Sequence, residues 1–235
     1  MVFSAILIDA FTDCNEGIRI CYRTDKGLFN QQRMHAVTKV KETVVRDLLF
    51  ADDCALNATT ESKMQDLMDC FTKACDYFGL TKNTKKTEGL HQPAPGSSQP
   101  DPEINVKDQK LKVVDKFTYL GSTLARTANI DDEVCNRIAK ASITFGRLRE
   151  NVWDRKGLRL DTKLKVYNAT ILPTLLYASE TWTVYSRHAR QLNHFHVGCL
   201  WKLLKIRWQD KNPDTEVLLR AGSTSIHTQL QKSQM

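Results

Sequence analysis

Hydrophobic and polar positions follow two different patterns along the chain. Up to residue 124 the apolar residues form short runs separated by turn-forming side chains, which is typical of strands and hairpins. From Asp131 onward they recur every three or four positions, as they do in amphipathic helices. This change predicts an α+β protein with a small α/β part at 1–124 and a helical part at 125–235.

Two hairpins are predicted in the first part. Residues 17–30 alternate apolar and polar positions around the turn Thr24-Asp25-Lys26-Gly27. Residues 44–57 (VVRDLLFADDCALN) consist of two apolar runs with a pair of aspartates between them. We therefore expect a second hairpin, with Ala51, Asp52 and Asp53 at its tip.

A helix and a proline-rich loop are predicted next. Thr59 or Thr60 is a suitable N-cap and Gly79 a suitable end, and the residues between them have one apolar face. Residues 92–103 carry four of the six prolines, which predicts an exposed loop or linker. Short strands are expected between this loop and Gly121.

Three helices are predicted in the second part. The first begins at Asp131 and has an apolar stripe made of Val134, Ile138, Ala141, Phe145 and Leu148. The second covers about 161–177 and is expected to bend or break near Pro173. The third covers about 188–207, and its inward residues are Leu192, Phe195, Cys199, Leu200 and Leu203.

Charge is unevenly distributed along the 235 residues. The chain has 34 Lys and Arg against 27 Asp and Glu, a net charge of +7 and a pI near 9.0. Residues 1–130 are balanced, so the whole excess lies in 131–235. A cluster of basic residues lies within 137–165: Arg137, Lys140, Arg147, Arg149, Arg155, Lys156, Arg159, Lys163 and Lys165. Such a cluster favours a polyanion through counterion release, although a solvated helix face has the same composition.

Membrane insertion and a disulfide framework are both disfavoured. No apolar run approaches the roughly 18 residues that a membrane-spanning helix needs. The seven cysteines form an odd, scattered set without a CxxC motif, which is typical of reduced thiols. We therefore expect an intracellular protein without a membrane partner.

A histidine-rich segment gives a weaker signal. His188, His194, His196 and Cys199 are near enough in sequence to suggest zinc, but the helical spacing places His194 away from the inward face. We interpret these residues as scattered surface histidines rather than as a metal site.

The adjacent carboxylates of Asp52 and Asp53 are the candidate chemical site. Two like charges so close repel each other, and a divalent cation relieves that repulsion. Mg²⁺ takes one or two carboxylates from a protein and completes its shell with phosphates and water. A polar turn also favours aspartate, so the pair by itself leaves both interpretations open.

The residues around this pair resemble a catalytic hairpin of a known family. LLFADDCAL (48–56) is similar to the hairpin of reverse transcriptases, in which an apolar residue and Phe or Tyr precede Ala-Asp-Asp. Later segments resemble motifs of LINE-type (non-LTR) retrotransposon reverse transcriptases in the same order: FGL (78–80), NTKKTE (83–88), FTYLG (117–121), YNATILPTLLYASETW (167–182) and CLWKLLKIRWQDKNPDTEVLLRAG (199–222). The resemblance implies a partial palm of antiparallel hairpins plus a helix, followed by an α-helical thumb.

The resemblance also implies roles for the matching residues. Asp52 matches the metal-binding catalytic carboxylate and Asp53 its neighbour, with Mg²⁺ as the cofactor, and Lys86 matches a lysine near the incoming nucleotide. The segment expected to form the primer-grip turn is Tyr119, Leu120 and Gly121. The basic residues of 137–165 would then bind the backbone of an RNA–DNA hybrid or DNA, with RNA as the template.

One half of the expected metal site has no match in this sequence. Two-metal phosphoryl transfer needs carboxylates from two places, and in the family the second is an Asp on an earlier palm strand. The alignment begins after that strand, so we expect the fingers, the first palm Asp and the template-packing glycine to be absent. Asp9 is expected on a helix that leads to the hairpin, not in the metal site. We therefore predict that this chain alone does not perform the ancestral template-directed DNA synthesis.

Two other hypotheses stay open. A non-catalytic nucleic-acid-binding module would need only 125–235, and its binding would weaken steeply with salt and ignore substitution of Asp52. A chain without function that folds poorly would leave open strand edges and apolar surface in its first part. Solubility, salt-dependent binding and activity distinguish these hypotheses.

Overall fold

The structure, a computed structural model, describes residues 10–11, 17–22, 41–81, 83–94, 100–107, 109–210 and 212–233. The protein is α+β, as the sequence predicts. The described strands are β1 (Ile18–Tyr22), β2 (Lys41–Val45), β3 (Asp47–Phe50), β4 (Asp53–Leu56), β5 (Glu88–Gly89), β6 (Asn105–Val106), β7 (Gln109–Lys110), β8 (Lys112–Val113), β9 (Lys116–Tyr119) and β10 (Ser122–Ala125). The described α-helices are α1 (Glu61–Tyr77), α2 (Asp131–Arg147), α3 (Leu160–Leu175), α4 (Ser186–Leu204), α5 (Asp214–Arg220) and α6 (Ile226–Ser233).

The chain divides into two compact units. Unit 1 comprises Met1–Tyr119 and Ala125–Ala128, and unit 2 comprises Leu120–Leu124 and Asn129–Met235. The main chain therefore changes unit three times, after Tyr119, after Leu124 and after Ala128. The domain boundary at 124/125 rests on the change of sequence pattern and stays a prediction.

The strands of unit 1 form small separate pairs. β1 pairs with β2 in antiparallel register, with Ile18 opposite Val45. The turn predicted at 24–27 lies outside the described residues. Val44 and Val45 were expected to begin the second hairpin but belong to β2, and that hairpin is formed by β3 and β4 alone. β5 and β8 form a short parallel pair, and β6 and β7 an antiparallel one.

Helix α1 forms as predicted and carries half of the buried residues that the structure describes in unit 1. The Thr60 side chain accepts a hydrogen bond from the Lys63 backbone N–H at 3.4 Å, which satisfies one free donor of the first turn. Beyond the last turn, Gly79 has a φ of 68°, the left-handed conformation that ends many helices. The buried side chains form two small clusters, one of Phe11 and Leu67 and one of Met68, Ile104, Val106 and Leu111.

Unit 2 has one continuous hydrophobic core between its helices. Its fully buried members include Val134, Ala141, Tyr167, Ile171, Leu175, Leu192, Leu200, Val217 and Ile226. The predicted apolar stripes of α2 and α4 are confirmed, because their residues either belong to this core or pack against it. Of the bend or break expected near Pro173, the break is wrong: α3 continues through Pro173 and ends two residues later.

The structure also addresses the expectations about membrane-spanning helices and about disulfides. None of the helices in the described part of the chain is long and apolar enough to cross a membrane. The cysteines that the structure describes are free thiols: Cys54, Cys70, Cys75, Cys135 and Cys199. Burial raises the pKa of Cys199 to about 12, so its thiol stays protonated in the core of unit 2.

Candidate catalytic hairpin and nucleic-acid interface

The aspartate pair lies on the hairpin of β3 and β4, within unit 1. Phe50 pairs with Asp53, so Ala51 and Asp52 are the two turn residues. Ala51 has a φ of 52°, in the left-handed region that two-residue hairpin turns use. The prediction of a hairpin is confirmed, but Asp53 is the first residue of β4 rather than part of the turn. A carboxylate in the turn is thus followed by one fixed in a strand.

Both carboxylates are exposed and make no hydrogen bond or ion pair with other residues that the structure describes. The neighbouring Cys54 is partly buried, and this burial raises its pKa to about 12, with smaller contributions from Asp47 and Cys75. Because this thiol stays protonated, it offers no soft thiolate ligand. The donors at this end of the hairpin are therefore carboxylate oxygens, which suit a hard cation such as Mg²⁺.

The aspartate pair fits a magnesium ion only in part. Two carboxylates are enough for an ion whose other ligands are phosphate oxygens and water. Within the described ranges, no group of three or more His, Cys, Asp or Glu residues is placed to hold a metal ion. Asp9 lies outside the described residues. A cation held by these two aspartates would therefore have to take its other ligands from phosphate or water.

Tyr119 contacts the same hairpin, which sequence reasoning missed. Its hydroxyl donates a hydrogen bond to the Leu48 carbonyl oxygen on β3, at 3.0 Å. Burial raises the pKa of Tyr119, and the nearby Cys54 and Asp53 add to the increase, so the hydroxyl stays protonated and able to donate. The resemblance assigned Tyr119 to the primer-grip turn, and the structure gives it a contact with the aspartate-bearing hairpin as well.

The remaining residues of the predicted primer-grip segment, Leu120 and Gly121, belong to unit 2. They have φ values of 48° and 82°, so both lie in the left-handed region. The Tyr177 hydroxyl donates to the Leu120 carbonyl oxygen at 2.9 Å. The Arg137 guanidinium donates to the Gly121 carbonyl oxygen at 2.6 Å. Both carbonyl groups of the turn are therefore fixed by side chains.

Two of the nine basic residues predicted to bind nucleic acid are buried. Arg137 forms an ion pair with Glu133 at 2.6 Å, and both side chains are buried. Lys163 donates to the Trp153 carbonyl oxygen at 2.6 Å in the interior. A buried charge needs such partners because desolvation is costly. The charges of Arg137 and Lys163 are therefore paired in the interior of unit 2, whereas the other residues of the cluster are exposed.

The other seven basic residues are exposed and form what we call the basic surface. They are Lys140, Arg147, Arg149, Arg155, Lys156, Arg159 and Lys165. Arg149 is paired with Asp154 at 3.1 Å, an exposed ion pair that contributes little to stability. In unit 1, Lys86 is exposed in a turn, where its backbone N–H donates to the Asn83 carbonyl oxygen at 3.0 Å. Its role near a nucleotide stays a prediction.

The interpretation of the histidines as scattered surface residues is wrong for His188 and His196. His188 is buried and lies 2.8 Å from an Asp131 carboxylate oxygen. His196 is fully buried between the Tyr167 hydroxyl at 2.8 Å and the Ser223 hydroxyl at 3.2 Å, and burial lowers its pKa to about 4. The signal was present in the sequence: both lie four residues from the inward Leu192, on the same helical face.

Comparison with known proteins points to mobile elements. No family model matches the chain. A putative uncharacterized transposon-derived protein of Caenorhabditis elegans is 24% identical over 163 residues, which cover 68% of this chain and 57% of the relative. The RNA-directed DNA polymerase from the mobile element jockey of Drosophila funebris is 22% identical over 195 residues, 79% of this chain and 21% of the relative.

The chain thus spans about half of one curated relative and about a fifth of the other. It is distantly related to proteins encoded by transposable elements, and it is a retrotransposon-related protein.

Proposed function

We propose that this chain is a segment of a LINE-type reverse transcriptase that carries the metal-binding hairpin of the palm and a thumb that binds the template–primer duplex. One observation carries the proposal: two exposed carboxylates, neither of them paired with a described residue, follow each other at the tip of an apolar two-stranded hairpin, one in the turn and one at the start of β4. The similarity to the jockey polymerase over 79% of the chain supports it.

In such a site, different described residues would have different roles. Asp52 and Asp53 would hold Mg²⁺, which when bound neutralises negative charge on phosphate oxygens. Tyr119 holds strand β3 in place through the Leu48 carbonyl group. Lys86 would place a mobile positive charge near the nucleotide. The basic surface would bind the backbone of the RNA–DNA hybrid.

We propose further that the chain does not extend a primer by itself. Two-metal chemistry needs carboxylates from two places, and the described residues include no group of three or more His, Cys, Asp or Glu placed to hold a metal ion. Primer extension with an RNA template, a DNA primer, Mg²⁺ and nucleotides tests this proposal. We expect no extension product. A product that disappears in Asp52→Asn, but persists in the matched surface variant Asp66→Asn, would contradict it.

The duplex-binding role is tested by a gel-shift salt series with an RNA–DNA hybrid. Replacing Arg155, Lys156 and Arg159 together by Gln should reduce the slope of log K against log salt by about 3, since each lost phosphate contact removes about one unit. The control replaces three exposed lysines of unit 1, Lys73, Lys85 and Lys112, and should leave the slope unchanged. A folded, monodisperse protein that binds no hybrid would refute this role.

A second candidate function is that of a nucleic-acid-binding module that performs no catalysis. It is favoured by the location of both the large core and the basic surface in unit 2. Mn²⁺ binding, followed by its effect on water-proton relaxation in the presence of a nucleotide, separates the two. A metal site at the hairpin predicts loss of binding in Asp52→Asn and Asp53→Asn but not in Asp66→Asn. Equal relaxation in all variants would favour the module.

A further inference from the structure

The strongest feature outside the aspartate hairpin is the turn of Leu120 and Gly121, which unit 2 supports from several sides. Gly121 adopts its φ of 82° without strain, whereas a leucine in the left-handed region costs of order 1 kcal/mol. Such a conformation persists where its surroundings fix it. Here the surroundings are the hydrogen bonds that Tyr177 and Arg137 donate to the two carbonyl groups.

Arg137 is held by an acid and by an aromatic ring as well as by the turn. Its Nε donates to one Glu133 oxygen at 2.6 Å, and the other Glu133 oxygen accepts from the Thr123 backbone N–H at 2.7 Å. The guanidinium also lies 4.5 Å above the centre of the Tyr177 ring. Because its charge is neutralised and buried, Arg137 is unsuited to binding an anion, and it holds the turn instead.

Lys140 differs from Arg137 although it contacts the same carbonyl group. Its ammonium lies 3.4 Å from the Gly121 oxygen, beyond the usual length of such a bond, and its side chain is exposed. The Gly121 oxygen already accepts the much shorter bond from Arg137. Lys140 can therefore exchange this contact with a neutral carbonyl oxygen for a contact with an anion, without leaving a buried acceptor unpaired.

We propose that Arg137 and Tyr177 position the Leu120–Gly121 turn so that Lys140 binds a phosphate of a nucleic-acid backbone beside it. The ligand is a polyanion because Arg147 lies two helical turns from Lys140 on the same exposed face of α2. The inference rests on the proposed nucleic-acid binding and names residues that carry it. Lys140 is the binding residue, and Arg137 and Tyr177 are positioning residues.

A double-mutant cycle on the full chain tests the proposal. The variants are Lys140→Gln, Tyr177→Phe and the double variant, with Lys232→Gln and Tyr77→Phe as matched controls for an exposed lysine and an exposed tyrosine. Each is checked for native circular dichroism and then titrated with an RNA–DNA hybrid at several salt concentrations. Tyr177→Phe removes only the hydroxyl that holds Leu120, so the ring stays against Arg137.

The expected results are specific. In Lys140→Gln, the loss of affinity between 50 and 200 mM salt should become about threefold smaller, because one phosphate contact is gone. The controls should match the wild type. In the Tyr177→Phe background, the fold loss of hybrid affinity caused by Lys140→Gln should be at least about twofold smaller than in the wild type. The reason is that a displaced turn already weakens the contact between Lys140 and the phosphate.

Three other results would overturn the inference. If Lys140→Gln behaves as Lys232→Gln, Lys140 binds no phosphate. If the effects of Lys140→Gln and Tyr177→Phe simply multiply, the turn does not position Lys140, and Tyr177 has a structural role alone. If the folded wild-type protein does not bind the hybrid at any salt concentration, the proposed duplex binding fails, and the inference fails with it; this result is distinguished by the absence of any wild-type complex.

Discussion

The two units bury their apolar residues to different extents. Unit 2 surrounds one continuous core with helices, and its buried charged residues have partners, as Arg137 has in Glu133, whereas the buried indole N–H of Trp201 has none among the described residues. In the part of unit 1 that the structure describes, the buried apolar residues include two small clusters, and the strands leave several large apolar side chains exposed, among them Ile18, Val44, Leu48 and Phe50. The candidate metal-binding aspartates therefore lie in unit 1, whereas the largest hydrophobic core of the described residues lies in unit 2.

The physical reason is the geometry of the elements. An amphipathic helix buries a stripe against several neighbours at once, and four or more helices close a core. A two-stranded sheet has two faces and two edges, and it is marginal unless another element covers it. The aspartate hairpin is such a pair, with Phe50 61% exposed beside the carboxylates. We therefore expect unit 2 to be the more stable unit.

The largest effect is expected from breaking the buried ion pair of unit 2. Arg137→Met leaves Glu133 buried without its partner and removes the support of Gly121, so we expect a loss of about 3–5 kcal/mol in the free energy of unfolding. Urea unfolding of the full chain measures it. Arg147→Met, an exposed residue of the same helix, is the control. A cost below about 1 kcal/mol would show that the pair is not the support described here.

Two matched core substitutions sharpen the comparison. Leu200 in unit 2 and Leu67 in unit 1 are both fully buried. Each Leu→Ala change should cost about 2–5 kcal/mol, with the higher cost in unit 2, where the larger core collapses less readily around the cavity. Because each unit has its own core, calorimetry should show two transitions, each displaced by one variant only. A single transition displaced equally by both variants would contradict separate cores.

Acid should affect unit 2 through His196. Its pKa is lowered from 6.5 to about 4 in the folded protein, so the folded state favours the neutral ring. The stabilisation that depends on this neutral ring is complete above pH 6.5 and is lost as the pH falls towards about 4, for a total of about 3 kcal/mol. His196→Gln should flatten this part of the stability profile. The exposed His194→Gln should leave it unchanged, and an unchanged profile in both would refute the assignment.

The smallest effect on stability is expected at the exposed face of the aspartate hairpin. Phe50→Thr should change the free energy of unfolding by less than about 0.5 kcal/mol, because the side chain is mostly exposed and Thr suits a strand. It should also reduce concentration-dependent association, measured by light scattering, since an exposed aromatic residue beside a strand edge promotes aggregation. A cost of about 2 kcal/mol would mean that Phe50 is covered in solution.

Local patterns predicted many elements correctly. The cap at Thr60, the end at Gly79 and the stripes of α2 and α4 follow from residue type and spacing alone, and the structure confirms them. The partner of β1 could not be found in this way, because strand pairing depends on contacts distant in sequence. Pro173 was misjudged since it lies in the last turn, where the loss of one hydrogen bond does not break the helix.

The candidate site was predictable only where the residues that form it are adjacent in sequence. The hairpin and its two aspartates could be found because an apolar run, a turn and a second apolar run are adjacent in sequence. The bond from Tyr119 to Leu48 joins residues far apart in the chain, and no local pattern indicates it. The burial of His188 and His196 was available from helical spacing but was outweighed by the usual preference of histidine for the surface.

By itself, the sequence determined the α+β class, four of the six described α-helices, the excess positive charge of the second part and the position of Asp52 and Asp53 in a hairpin, while α5 and α6 were missed. These features depend on residues near each other in the chain. The tertiary structure alone decided which basic residues face solvent. Arg137 and Lys163 carry the same charge as their exposed neighbours, and only the partners that the fold brings to them, Glu133 and the Trp153 carbonyl group, make their burial favourable.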